Sequence, residues 1–122
     1  MHITKCLHTS ILVSDLKQAE IFYSNVLGLP KSPNRFLKFP GLWYQLEDYQ
    51  IHLIEDKKFT NKNFVNPEKW GRNPHLALVV ENLAMAEEKL QNNGYVIQKS
   101  FSGRAALFTK DPDGNIIELV QT

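Results

Sequence analysis

The sequence predicts an α+β fold made of two copies of a strand-helix-strand-strand-strand module, and three observations support this. Apolar residues alternate over several short segments, as in half-buried strands, and recur at helical spacing in two others. The order of these segments occurs twice along the 122 residues. Similar residues also recur at an almost constant offset, which is longer than the period of a solenoid. Each copy is expected to form a curved, mostly antiparallel sheet backed by a helix.

The first module is predicted at about residues 3–56, beginning with a β-rich segment at 3–13. Asp15 is a suitable N-cap for the helix DLKQAEIFYSNVLG, and Gly28 is a suitable end for it. Its apolar residues fall at helical spacing, so one face is expected to be buried. Three strands should follow, one near Phe36, one over residues 42–46 and one in the stretch YQIHLIED.

A polar loop at about residues 57–73 then leads to the second module, predicted at about 74–122. HLALVVEN is expected to form a strand, and LAMAEEKLQNNG a helix that Gly94 closes. Three more strands are predicted near Val96, Ala106 and Ile117. The last two are joined by KDPDGN, in which Asp-Pro-Asp-Gly favours a tight turn. The two modules are expected to form one domain, pairing around a pseudo-two-fold axis either within one chain or by exchange with a second chain.

The two copies are aligned most clearly by four polar residues. His8 begins a segment that matches the one beginning at His75, an offset of 75 − 8 = 67. His52, between Ile51 and Leu53, matches Glu118 between Ile117 and Leu119, an offset of 118 − 52 = 66. All four lie in predicted strands among aliphatic residues, where an unpaired carboxylate is costly.

A divalent cation bound by His8, His52, His75 and Glu118 would satisfy all four side chains at once. Three imidazole nitrogens and one carboxylate form a donor set that suits Zn, Ni, Co, Mn or Fe(II). Four protein ligands leave one or two coordination positions for a substrate in a five- or six-coordinate ion. A structural zinc site is more often closed and rich in cysteine.

Composition excludes several other classes of function. The formal net charge is +1, without the basic excess of a nucleic-acid-binding protein. No apolar run approaches the roughly 20 residues of a membrane span, and the first residues lack the apolar centre of a signal peptide. The only cysteine is Cys6, so no intrachain disulfide can form. A cytoplasmic protein that binds a small molecule, without nucleic-acid or membrane partners, is expected.

The motifs resemble the vicinal oxygen chelate superfamily, which includes glyoxalases, bleomycin-resistance proteins and extradiol dioxygenases. The resemblance lies in HTSILVSDL from His8, in FYSNVLGL from Phe22 and in DPDGNIIEL from Asp111. It extends over almost the whole chain and implies paired βαβββ modules around a cleft with a divalent metal. The implied ligands lie on the first and fourth strand of each module, at the same four residues that the repeat selects. It also implies a homodimer, which would cover the edges of the sheets.

Among the well-known members, the motifs around His8 and Phe22 most resemble those of glyoxalase I. That enzyme has two glutamates at the positions of His52 and Glu118. The resemblance therefore implies metal-dependent lyase or isomerase chemistry with Glu118 as a catalytic group, but not efficient glyoxalase I activity. Extradiol dioxygenases resemble the chain through His8, His75 and Glu118, so an iron(II) dioxygenase is an alternative. A non-catalytic protein of the bleomycin-resistance type is a second alternative.

Three residues are candidates for substrate binding. Arg104 lies on a predicted inner strand, where an unpaired arginine would suit an anionic substrate. Arg72 and Trp43 are further candidates, although a surface charge and a core aromatic are the ordinary roles of such residues. Cys6 is predicted on the same strand face as His8. It lacks a third, orienting group that would make it a nucleophile.

Overall fold

The chain folds into two compact units, Met1–Phe59 and Thr60–Thr122. The computed structural model describes residues 1–33 and 38–122, so the predicted strand near Phe36 lies outside the described residues. The boundary between the units falls inside the predicted polar loop. Among these described residues, each unit contains one α-helix and one mixed sheet, which confirms the predicted α+β class. The formation of a single domain by the two modules stays a prediction.

The first unit has a three-stranded sheet made of β1 (His8–Val13), β2 (Gly41–Leu46) and β3 (Tyr49–Glu55). The strands lie in the order β1-β3-β2. β3 pairs with β1 in parallel and with β2 antiparallel. The strand predicted from residue 3 therefore begins only at His8. The prediction that Cys6 shares a strand face with His8 is wrong, because Cys6 precedes the strand and is exposed.

The predicted first helix forms, but its second half is a π-helix. Helix α1 (Leu16–Glu20) continues directly into π-helical residues Ile21–Val26. Asp15 is the N-cap, and its carboxylate accepts a hydrogen bond from the Gln18 amide at 3.2 Å. The wider helical turn is seen where the Leu27 amide donates to the Phe22 carbonyl, five residues back.

The buried face of this helix forms the core of the first unit. Phe22, Tyr23 and Tyr44 are fully buried. The Tyr44 hydroxyl lies 2.7 Å from the Ser24 hydroxyl, so the phenol keeps a hydrogen-bond partner inside the core. Burial raises the pKa of Tyr44, against the lowering effect of the Ser24 hydrogen bond. The phenol therefore stays neutral and acts as a structural group.

The second unit has a four-stranded sheet made of β4 (His75–Val79), β5 (Ile97–Lys99), β6 (Ala106–Lys110) and β7 (Ile116–Val120). The strands lie in the order β4-β7-β6-β5. A 3₁₀ turn at Trp70–Arg72 precedes β4, and helix α2 (Leu83–Asn92) follows it. Asn82 is the N-cap of α2, and Gly94 closes the helix with a φ of 84°.

In each unit, a side chain at the end of the last strand or directly after it accepts a hydrogen bond from the first amide of that unit's helix. Glu55 Oε2 accepts from the Leu16 amide at 2.9 Å, and Gln121 Oε1 accepts from the Leu83 amide at 2.7 Å. These residues lie 66 and 67 positions apart (121 − 55 and 83 − 16). The repeat is therefore preserved in hydrogen bonds as well as in residue type. No helix in the described parts of the chain is long and apolar enough to span a bilayer.

Candidate functional site

The four predicted metal ligands occupy equivalent register positions in the two sheets. In the first unit His52 of β3 lies opposite Ser10, two residues after His8. In the second unit Glu118 of β7 lies opposite Ala77, two residues after His75. Since side chains alternate along a strand, each pair projects from one face of its own sheet. The structure thus brings the four residues together as two pairs, each within one unit.

The pair in the first unit is part of a stack of three rings. The ring of His52 lies between the ring of His8, with centroids 4.1 Å apart, and that of Trp43, with centroids 4.2 Å apart. The rings are nearly parallel, at 14° and 10°. His52 is 8% exposed, whereas His8 is exposed. The stack fixes the plane of the His52 ring, so only the direction of its nitrogens remains to be set.

Two glutamines set that direction. The Gln45 amide nitrogen donates to the Glu47 carbonyl at 2.6 Å, and Gln45 Oε1 accepts from the Gln50 amide nitrogen at 2.7 Å. Gln50 Oε1 lies 2.9 Å from His52 Nε2. Because the Glu47 carbonyl can only accept, each amide in the chain has a defined orientation, and His52 Nε2 must carry a proton. In the neutral ring, Nδ1 is then the nitrogen with the lone pair that a metal requires.

We expect the neutral His52 ring to be the Nε2–H tautomer in solution. Long-range ¹H–¹⁵N correlation spectra of the zinc-free protein distinguish the two tautomers directly. Replacing Gln50 with leucine removes the acceptor and should shift the ring toward a tautomer mixture. Gln18, which is far from His52 in the chain and helical, offers a matched control as Gln18→Leu. A neutral His52 with its proton on Nδ1 in the unmodified protein would contradict this assignment.

The pair in the second unit is held by a different arrangement. His75 Nδ1 lies 2.7 Å from the Asn73 carbonyl, which can only accept, so Nδ1 carries a proton. Asn73 is 4% exposed, and its side chain bonds the backbone at Val65, Asn66 and Trp70. His75 Nε2 therefore faces Glu118 Oε1 across 3.0 Å. A positive charge is needed between these two atoms, either a proton or a metal ion.

Glu118 also has a second partner. Its other oxygen, Oε2, accepts from Arg104 Nη2 at 3.0 Å, and Glu118 is 5% exposed. The prediction that Arg104 lies unpaired on a strand is wrong. It lies in the bend just before β6 and forms an ion pair with Glu118. Sequence alone did not reveal this pair, because the two residues are 14 positions apart and come together only when β6 pairs with β7.

The second unit suits a metal ligand pair. Donor atoms about 2.1 Å from a metal and at right angles are about 3.0 Å from each other, the separation of His75 Nε2 and Glu118 Oε1. A histidine that ligates through Nε2 commonly donates its other N–H to a backbone carbonyl, as His75 does to Asn73. Within each unit, the described residues add no third His, Cys, Asp or Glu to either pair. Convergence of the two pairs on one metal stays a prediction.

The remaining candidates occupy different environments. Trp43 contacts a predicted ligand, since its ring stacks on His52. Arg72 is exposed on the 3₁₀ turn, and no side-chain contact ties it to either pair in the described part of the chain. Their roles in substrate binding stay predictions.

Two residues that orient the predicted ligands, Gln50 and Asn73, were not selected from the sequence. The period-two pattern places Gln50 on the same face as His52 and was the available signal.

Comparison with known proteins identifies relatives along almost the whole chain. The model of the Glyoxalase/Bleomycin resistance protein/Dioxygenase superfamily matches residues 5–119. A lactoylglutathione lyase of Salmonella typhimurium is 33% identical over 129 aligned positions. That alignment covers 96% of this chain and 92% of the lyase.

Solved structures have the same fold at lower identity. A glyoxalase/dioxygenase from Nostoc punctiforme superimposes with a TM-score of 0.78 and 21% identity, covering 96% of this chain and 90% of that one. TnmS3, an antibiotic binding protein from Streptomyces sp. CB03234, superimposes with a TM-score of 0.70 and 22% identity. This second match covers 99% of this chain and 98% of TnmS3. At these identities the matches establish the fold alone.

Proposed function

Since this chain belongs to the Glyoxalase/Bleomycin resistance protein/Dioxygenase superfamily, we propose that it is a glyoxalase-type enzyme that depends on a divalent metal ion. Its relatives named lactoylglutathione lyase support glyoxalase-type function at the level of the reaction family. The proposed substrate is a small molecule with two adjacent oxygens, and the proposed chemistry is that of a lyase or isomerase.

The observation that carries this proposal is the equivalent placement of the two pairs. His8 with His52, and His75 with Glu118, occupy the same register in two parallel strand pairs. We propose that all four hold one ion, chosen from Zn, Ni, Co, Mn and Fe(II) by the chemistry of the three imidazoles and one carboxylate. His75 would bind through Nε2, because the Asn73 carbonyl holds its Nδ1 proton. His52 would bind through Nδ1, because Gln50 holds its Nε2 proton.

When bound, the metal would supply a Lewis acid that polarises the two substrate oxygens. Glu118 is the only carboxylate in the proposed set, and it would accept and return the substrate proton. His75 and Arg104 contact the two oxygens of that carboxylate and so fix its orientation. As a ligand through Nδ1, His52 would be a neutral imidazole with its proton on Nε2 toward Gln50. It would not provide the second base that a carboxylate at this position would provide.

A non-catalytic binding protein is the second candidate. It is favoured by the fact that Glu118 has two partners inside the chain, so its charge is compensated without any metal. TnmS3, with the same fold, is named as an antibiotic binding protein. An iron(II) dioxygenase that uses His8, His75 and Glu118 would instead consume dioxygen with a catechol.

The proposal includes a homodimer, which relatives of this kind commonly form. β1 and β4 are edge strands of their own sheets, and each carries an exposed apolar side chain, Leu12 at 41% and Val79 at 69%. An edge strand presents unpaired backbone N–H and C=O groups, which favours its coverage by a second chain. A cytoplasmic location, without nucleic-acid or membrane partners, is also proposed.

A metal analysis followed by a substrate screen distinguishes the glyoxalase-type enzyme, the binding protein and the dioxygenase. Native mass spectrometry with elemental analysis, on protein purified with added divalent ions, is expected to give a dimer with about one tightly held metal per chain. The loaded protein is then screened against α-oxo-aldehyde hemithioacetals and catechols, with oxygen consumption followed in parallel. Absence of metal with retained small-molecule binding would favour the binding protein. Oxygen uptake with a catechol would favour the dioxygenase.

A further inference from the structure

Arg104 has hydrogen-bonding capacity beyond its ion pair. Its Nη2 donates to Glu118 Oε2 and its Nε donates to Ser102 Oγ, each at 3.0 Å. A guanidinium has five N–H groups, so three remain, and none of these has an acceptor among the described residues. The side chain is 54% exposed, in contrast to the carboxylate it binds. The remaining donors therefore lie at an accessible edge of the Glu118 site.

The guanidinium is also held in place. Ser102 Oγ, which accepts from Nε, lies 2.7 Å from Ser100 Oγ. The Arg104 carbonyl accepts from the Ala106 amide at 2.8 Å, which closes the bend before β6. Gly103 has a φ of 79°, a conformation that favours glycine and that shapes this bend. An arginine fixed at both Nε and Nη2 loses little further freedom when it binds a ligand.

The charge balance gives the chemical class of that ligand. Glu118 carries one negative charge and already shares it with Arg104. A divalent ion at the same carboxylate would leave two positive charges uncompensated beside the three open donors. Planar arginine donors match carboxylate and phosphonate oxygens in a bidentate manner. An anionic substrate would offset this charge, whereas a neutral one would leave it in place.

We propose that Arg104 determines specificity by binding an anionic group, such as a carboxylate or phosphonate, that lies next to the two metal-chelating oxygens of the substrate. This inference rests on the proposed function, because it requires the metal to be bound at Glu118. The simpler alternative is that Arg104 only neutralises Glu118. The two differ in one respect, which is whether loss of Arg104 removes discrimination between charged and neutral ligands.

The test compares two chelating probes with zinc-loaded protein by isothermal titration calorimetry. Acetohydroxamate offers two adjacent oxygens, and phosphonoacetohydroxamate offers the same two oxygens with an added phosphonate. The unmodified protein is expected to bind the phosphonate probe at least about tenfold more tightly, the effect of a charge-assisted hydrogen bond. Arg104→Met is expected to reduce this preference to about twofold or less, and Arg104→Lys to reduce it in part.

Lys99→Met is the matched control. It removes one positive charge from the same hairpin, at a side chain that is 74% exposed and paired with Glu87 rather than Glu118. It should therefore retain the preference. Zinc affinity, titrated separately, should change by less than about tenfold in Arg104→Met, because removing a positive charge near the ion offsets the loss of the hydrogen bond that orients Glu118.

An equal preference in the unmodified protein and in Arg104→Met would overturn the inference. A loss of zinc affinity greater than about tenfold in Arg104→Met would also overturn it, because Arg104 would then serve the metal site itself. If the unmodified protein does not bind zinc, the proposed function fails, and this inference fails with it. Circular dichroism melting checks that each variant folds. Should Arg104→Met not fold, an undiminished preference in Arg104→Lys would be decisive against the inference.

Discussion

Replacing Glu118 with glutamine is expected to weaken metal binding and to lower turnover more than any other single substitution considered for this site. Glutamine preserves the shape of the side chain but removes the single negative charge of the proposed ligand set. Removing a residue next to a ligand typically costs 10- to 100-fold in metal affinity, so loss of the ligand itself should cost more than about 100-fold. Turnover should fall by at least about 10³-fold, because the proton acceptor is lost together with the metal.

The stability of the Glu118→Gln variant should fall only modestly. Glu118 is buried at 5% exposure, but Arg104, one of its two partners, is half exposed, so its charge stays in contact with solvent when the ion pair is lost. We therefore expect a loss of about 1–2 kcal/mol in the free energy of unfolding. Chemical denaturation measures this, and calorimetry with zinc or nickel measures the affinity.

Glu81→Gln is the control for Glu118→Gln. Glu81 is exposed in the turn after β4, and its replacement removes the same charge from the same unit. It should leave affinity and turnover unchanged. A folded Glu118→Gln protein that binds one equivalent of metal as tightly as the unmodified protein would show that this carboxylate is not a ligand. Its pairing with His75 and Arg104 would then be purely structural.

The second large effect is expected from His52→Glu. The unmodified protein should turn over the methylglyoxal–glutathione hemithioacetal slowly or not at all, even with nickel or zinc bound. His52 Nε2 is held as a donor by Gln50, so this position lacks the second base that the resemblance to glyoxalase I implies. A glutamate there restores a carboxylate, and a general base contributes roughly 10²- to 10⁴-fold. The gain should lie at or below the low end of that range, because the substitution adds a base but no contact to glutathione.

The same substitution has a structural cost. His52 is stacked between His8 and Trp43, and a glutamate makes neither ring contact. Losing two aromatic contacts and burying a carboxylate should lower the free energy of unfolding by about 2 kcal/mol. His52→Gln is the control, because it loses the rings but adds no base, and it should gain no activity. Efficient turnover by the unmodified protein, in a steady-state assay at measured metal content, would show that the change at position 52 is unimportant.

Much of the fold was predictable because its signals are local. Asp15 and Asn82 cap their helices as their residue types indicate, and Gly28 and Gly94 end them with positive φ. Strand positions followed from period-two alternation, with errors mainly at the ends of strands. The wider turns at Ile21–Val26 were not predictable, because π-helical and α-helical apolar patterns are similar over so short a segment.

The pairing of ligand positions was also accessible from sequence, through the two repeat offsets. In a repeated module, residues at the same place in each copy take the same register, as His52 opposite Ser10 and Glu118 opposite Ala77 demonstrate. A repeat therefore carries information about contacts between distant residues, which composition and periodicity of one segment do not. This is why His8 and His75 could be selected, whereas Cys6 was misplaced by extending a strand that begins two residues later.

The environment of those residues was decided only by the folded chain. Whether Glu118 is compensated by Arg104, and which nitrogen of His52 carries the proton, depend on hydrogen bonds between side chains that separate strands and loops bring together. Hydrogen bonds are directional and short, so a shift of about one ångström in a loop decides whether they form. The apolar pattern of a sequence is insensitive to such shifts, because burial depends on the area removed from water and not on the direction of a contact. Residue identity and repeat spacing therefore reveal which groups are available for chemistry, and tertiary hydrogen bonding determines their protonation, orientation and charge.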